Sequence, residues 1–110
     1  MTPRIDFTDR HAQHPPSVRD YALEKAGRLS RYFDGVNHIQ IVLDREHDQH
    51  TTEIIVSATP NLRFVGHATA RTITEAIDAV IDKLERQVVK AKERLKDHHN
   101  HRERPDRPEP

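Results

Sequence analysis

The apolar positions change period along the chain. Arg4 to Asp9 (RIDFTD) alternates, with Ile5 and Phe7 on one face, which predicts a short strand. His14-Pro15-Pro16 then punctuates the chain, and proline suits a first helical turn, where its missing N–H is not needed. Val18, Ala22, Ala26, Leu29 and Phe33 follow at spacings of three and four, so the pattern predicts an amphipathic helix from about Pro16 to Phe33. Asp34-Gly35 ends it, with Gly35 able to take the left-handed cap conformation.

Three alternating runs come next. His38 to Arg45 (HIQIVLDR) places Ile39, Ile41 and Leu43 on one face. His47 to Thr51 is polar and predicts a hairpin connection. Glu53 to Thr59 aligns Ile54, Val56 and Ala58, and Pro60-Asn61 signals a turn. Leu62 to Ala70 turns Phe64, Gly66 and Ala68 toward the core. Thr72-Ile73-Thr74-Glu75 then forms a capping box. Ile73, Ile77, Val80, Leu84, Val88, Ala91 and Leu95 continue at helical spacing to about His98.

The predicted order is strand, helix, three strands, helix. Short connections make the three consecutive strands an antiparallel meander. Two amphipathic helices then need one sheet face to bury against. The expected fold class is α+β: a βαβββα two-layer sandwich, with a four-stranded sheet and both helices packed on one face.

Composition adds limits. A chain of 110 residues with 34% apolar residues makes one domain with a small core. Asp97 to Pro110 (DHHNHRERPDRPEP) has no apolar residue, so it is expected to be a disordered tail, leaving residues 1–96 as the folded domain. Without the tail the apolar share rises to about 39%. No run approaches the ~20 apolar residues of a membrane span. The absence of cysteine excludes disulfides, a Cys-ligated metal and a thiol nucleophile. Met1 to Arg10 lacks the apolar core of a signal peptide, so a cytoplasmic location is expected.

The formal net charge of zero argues, taken whole, against a nucleic-acid partner, but it conceals an uneven distribution. Lys83 to Lys96 carries six basic and two acidic residues, and Pro16 to Phe33 carries four and two. Acid collects between Asp44 and Glu53, where Asp44, Glu46, Asp48 and Glu53 face only Arg45. On the second helix Lys83, Arg86, Lys90 and Arg94 fall within about 80° of arc, at 100° per residue. On the first, Lys25 and Arg28 share a flank with Tyr21 and Tyr32. With the helices side by side, these flanks would meet in one basic groove edged by tyrosines. Lys and Arg neutralise phosphates, and Tyr stacks on bases or hydrogen-bonds sugar and phosphate. The plainer alternative is a solvated helix face, with late basic residues also matching the helix dipole.

Other chemistries find less support. His98, His99 and His101 cluster at the start of the expected tail, and His47 and His50 lie on the expected turn, without a ligand set of usable spacing. No metal or cofactor is expected. There is no phosphate-binding Gly-rich loop and no HExxH or G-x-S-x-G motif, so no enzyme is expected. Asp78 and Asp82 put two carboxylates on one helix face, but with Lys83 and Arg86 nearby they read as a surface charge network.

Ala76 to Gln87 (AIDAVIDKLERQ) resembles the second-helix signature of the bacterial ribosome hibernation promoting factor family, also described as ribosome-associated inhibitors or sigma-54 modulation proteins. Leu29 to Val36 (LSRYFDGV) resembles the end of that family's first helix, and the element order agrees over about residues 4–96. The resemblance implies a fold related to double-stranded-RNA-binding domains. It implies binding to the small ribosomal subunit between head and body, overlapping messenger and transfer RNA sites, with reversible inhibition of translation under stress. Carried over, the family's basic helix positions fall on Lys25, Arg28, Lys83, Arg86 and Lys90, with Arg94 on the same flank. Many members open the second helix with Asp-Met/Leu-Tyr. Thr72-Ile73-Thr74 stands there in this chain, so Thr72 keeps the capping role and the tyrosine is lost. The chain resembles the short class, whose members either assist ribosome pairing with a second hibernation factor or only occupy the subunit.

The expectation is therefore a non-enzymatic translation inhibitor that binds small-subunit ribosomal RNA through Lys25, Arg28, Lys83, Arg86, Lys90, Arg94, Tyr21 and Tyr32, and is a monomer when free. The alternative is a protein-binding regulatory module that uses the acidic hairpin Asp44–Glu53.

Overall fold

The computed structural model describes residues 3–10, 14–32, 35–59 and 61–103, with the side chains of Tyr32 and of residues 95–103 outside that description. Six elements follow in the expected order: β1 (Arg4–Asp9), α1 (Pro16–Tyr32), β2 (Val36–Glu46), β3 (Gln49–Ala58), β4 (Leu62–Ala70) and α2 (Ile73–Glu103). The strands form one sheet in the order β1-β2-β3-β4. β1 pairs parallel with β2, as a strand–helix–strand crossover requires, and the other pairs are antiparallel.

Register puts the apolar set on one face. Ile5 lies beside Ile39, Ile39 opposite Val56, Ile41 opposite Ile54, and Val56 opposite Phe64. This face and the inward stripes of the helices, Ala22, Ala26 and Leu29 from α1 and Ile77, Val80, Leu84 and Val88 from α2, close into one core. At Gly66 α2 lies close against the sheet. A β-carbon there would stand 3.0 Å from Val80 Cγ1 and 3.1 Å from Leu84 Cγ. Thr52 is the polar exception in the core: it is fully buried, and its hydroxyl has no hydrogen-bond partner among the described residues.

The differences from expectation are at element ends. The β2–β3 connection is only His47-Asp48, with Glu46 opposite Gln49, because Gln49 to Thr52 continue the ladder. Ladder bonds belong to the backbone, so polar side chains do not stop a strand. His47 takes φ 59° to make this tight turn. α2 continues past the expected residue 98 to Glu103, into the stretch expected as a tail. That extension contains neither Gly nor Pro, and the first breaker is Pro105. Residues 104–110 lie outside the described residues, as do Phe33 and Asp34 at the expected end of α1. Gly35 has φ 99°, and its carbonyl accepts the Thr59 N–H at 2.9 Å, joining the start of β2 to the end of β3.

Candidate nucleic-acid interface

α2 is started by Thr72, whose Oγ1 accepts the Glu75 N–H at 3.2 Å. From there its stripe of Ile77, Val80, Leu84 and Val88 fixes which side faces the sheet. Two flanking side chains then reach over the free edge of β4. Lys83 Nζ donates to the His67 carbonyl and Gln87 Nε2 to the Val65 carbonyl, each at 2.8 Å. The spacing matches: four residues of helix rise about 6 Å, and two residues of strand about 6.6 Å. Continuing the step carries Lys90 and Arg94 toward the start of β4, where Arg63 is exposed on the sheet.

The opposite flank of α2 faces α1. Asp78 Oδ1 accepts the Tyr21 hydroxyl at 2.5 Å and lies 3.6 Å from Lys25 Nζ. Lys25 Nζ is also 5.3 Å from the centre of the Tyr21 ring. The Tyr21 phenol is pushed above its usual range, first by the bond it donates to Asp78 and then by desolvation.

The two basic flanks therefore do not meet in one groove. Both helices run antiparallel to the parallel strands β1, β2 and β4, so they run parallel to each other. Their basic residues lie on the same side of the core-facing line of each helix. On parallel neighbours such flanks point the same way: that of α1 toward α2, that of α2 away over the β4 edge. The seam receives instead the acidic side of α2.

Charge compensation differs between the two surfaces. Lys25 faces Asp78, and Arg28 Nη2 lies 4.0 Å from Glu24. Arg86 is held by Asp82 at 2.7 Å, one part of the surface charge network expected from Asp78, Asp82, Lys83 and Arg86. Lys83 donates a hydrogen bond to a neutral carbonyl and has no ion-pair partner among the described residues. Lys90 and Arg94 are exposed, with no ion-pair partner among the described residues. The backbone of Tyr32 ends α1. Arg63 and Arg71, exposed on β4 and at its junction with α2, add to this edge. Strand alternation puts Arg63 off the core, but only topology makes β4 an edge.

The other candidates resolve differently. Asp44 of the acidic hairpin lies 3.5 Å from Arg10. His50 Nδ1 meets His14 Nε2 at 3.2 Å, and His14 Nδ1 meets Asp9 Oδ2 at 3.0 Å. This chain ties the entry of α1 to β3. Among the described residues no three His, Asp or Glu side chains are grouped to hold a metal ion, and no helix is long and apolar enough to cross a membrane.

Comparison with known proteins gives consistent results. The family model described as Sigma 54 modulation protein / S30EA ribosomal protein matches residues 5–96. A ribosome hibernation promoting factor of Klebsiella oxytoca is 36% identical over 100 residues, covering 86% of this chain and 99% of the relative. One from Pseudomonas putida is 32% identical over 91 residues, 83% of this chain and 88% of the relative. The crystal structure of the Thermus thermophilus Protein Y N-terminal domain superposes with a TM-score of 0.69 at 30% identity, covering 80% of this chain and 96% of that one.

Proposed function

Because the chain belongs to the Sigma 54 modulation protein / S30EA ribosomal protein family, we propose that it is a ribosome hibernation factor that inactivates ribosomes by occupying them. Its action is non-catalytic. Its partner is ribosomal RNA of the small subunit, and bound there it blocks the paths of messenger and transfer RNA. It works in the cytoplasm and is a monomer when free.

The observation that carries this reading is the row of Lys83, Lys90 and Arg94 along the β4 edge, whose charges have no ion-pair partner among the described residues. Ribosome attachment is a phosphate problem: each cation placed on the backbone releases condensed counterions. A row fixed on a helix that is itself packed on a sheet presents those charges without ordering a loop. Arg86 joins the row by exchanging Asp82 for a phosphate. Tyr21, Lys25, Arg28 and Tyr32 form a second contact along α1. Residues 97–110 decide whether a second factor joins to pair ribosomes.

Co-sedimentation tests it. The chain is expected to travel with small subunits and to leave them after RNase treatment. Sedimentation with the protein fraction that survives RNase would favour a protein partner, and with it the acidic hairpin.

A further inference from the structure

We propose that the Asp78 carboxylate is an intramolecular stand-in for an RNA phosphate, seated between Tyr21 and Lys25 in the free protein and displaced by a backbone phosphate on binding. The proposal rests on the reading of the chain as a factor that binds ribosomal RNA.

One oxygen, Asp78 Oδ1, accepts the Tyr21 hydroxyl at 2.5 Å and forms an ion pair with the Lys25 ammonium at 3.6 Å. A hydroxyl donor and a cation converging on one anionic oxygen is the donor set a phosphate oxygen takes. Among the described residues the other carboxylate–cation pairs of the helices, Glu24 with Arg28 and Asp82 with Arg86, are one turn apart on a single helix. The Asp78 contact instead crosses the seam. Its two partners are firmly placed, since α1 is anchored around them by the fully buried Ala22 and Ala26. The acceptor is the loose member: the Asp78 side chain is 51% exposed, with solvent to rotate into. A departing carboxylate thus leaves an intact seat.

The consequence is an order of binding. In the free protein the seam is closed to anions by its own carboxylate, while the cations of the β4 edge stand open. RNA held there raises the local phosphate concentration enough to displace Asp78. The seam then adds affinity only for RNA that reaches both helices at once.

The test is the affinity of the full chain for salt-washed bacterial ribosomes. Asp78→Asn keeps an acceptor for the Tyr21 hydroxyl and removes the competing charge. It should bind more tightly, by up to about fivefold, the upper worth of an exposed ion pair. Adding Lys25→Gln should remove the gain. Asp20→Asn makes the same charge change on α1 at an exposed residue with no ion pair among the described residues, and should give a smaller gain. Thermal unfolding confirms that each variant is folded. Equal or weaker binding by Asp78→Asn, a gain matched by Asp20→Asn, or a gain that survives Lys25→Gln overturns the proposal alone. Failure of the unsubstituted chain to bind ribosomes overturns the functional reading and this proposal with it.

Discussion

Lys83 donates a hydrogen bond across 2.8 Å to the carbonyl oxygen of His67, and so lays α2 along the free edge of β4. Gln87 repeats the contact at Val65. An open strand edge is a template for pairing with another chain, and these two side chains occupy two of its acceptors. Replacing both by alanine should cost little stability, at most about 1 kcal/mol, because water takes the freed carbonyls. Association should increase, read as larger species in size-exclusion chromatography after mild heating. An unchanged elution profile would show that the edge needs no cover.

The approach of α2 depends on Gly66. A methyl group there would press on Val80 Cγ1 at 3.0 Å and the Val80 carbonyl at 3.3 Å, a helix backbone atom that cannot rotate away. Gly66→Ala should destabilise by about 1–3 kcal/mol, as overpacking does, measured by urea unfolding. Wild-type stability would mean that the layers have slack.

Thr52 runs the other way. Its hydroxyl is buried without a partner among the described residues, between Leu43 and Ala68 on the neighbouring strands. Thr52→Val keeps the branched shape and removes the unsatisfied group. It should raise stability by about 1–2 kcal/mol. A loss would point to a hydrogen bond made by that hydroxyl in solution.

Acid should loosen the entry of α1. Burial, with His14 and Arg45 nearby, holds His50 below the usual histidine range. The native state then binds fewer protons here than the unfolded chain. This stability is complete above the unfolded value, about 6.5, and is lost as pH falls below it. Geometry agrees: a bond between two ring nitrogens 3.2 Å apart needs one of them unprotonated. Melting temperature should fall from pH 7.5 to 5.5, and His50→Gln should flatten that fall. Equal slopes would remove His50 from the account.

The sequence carried the element order and the core because those follow from period alone: Ile39, Ile41 and Leu43 alternate, and Ile77, Val80, Leu84 and Val88 recur by turns. It misplaced ends where nothing apolar marks them, as at Gln49 to Thr52 in β3 and beyond residue 98 in α2. The basic residues were also visible, and so was the flank each helix gives them. Whether the flanks face each other was not, because that depends on helix direction, which the strand order determines. Asp78 shows the same limit. In sequence it is one carboxylate of a helix surface, and the fold makes it the partner of Tyr21 and Lys25.

The row of cations along the β4 edge is tested most directly by the salt dependence of small-subunit binding, with Lys90→Gln/Arg94→Gln compared with the unsubstituted chain. Both residues are exposed and unpaired among the described residues, so the substitutions leave the fold intact. Plotted as log affinity against log salt, the double variant should bind more weakly and its slope should be shallower by about 1.4–1.8, for two lost phosphate contacts. Superimposable lines for the two proteins would contradict the account.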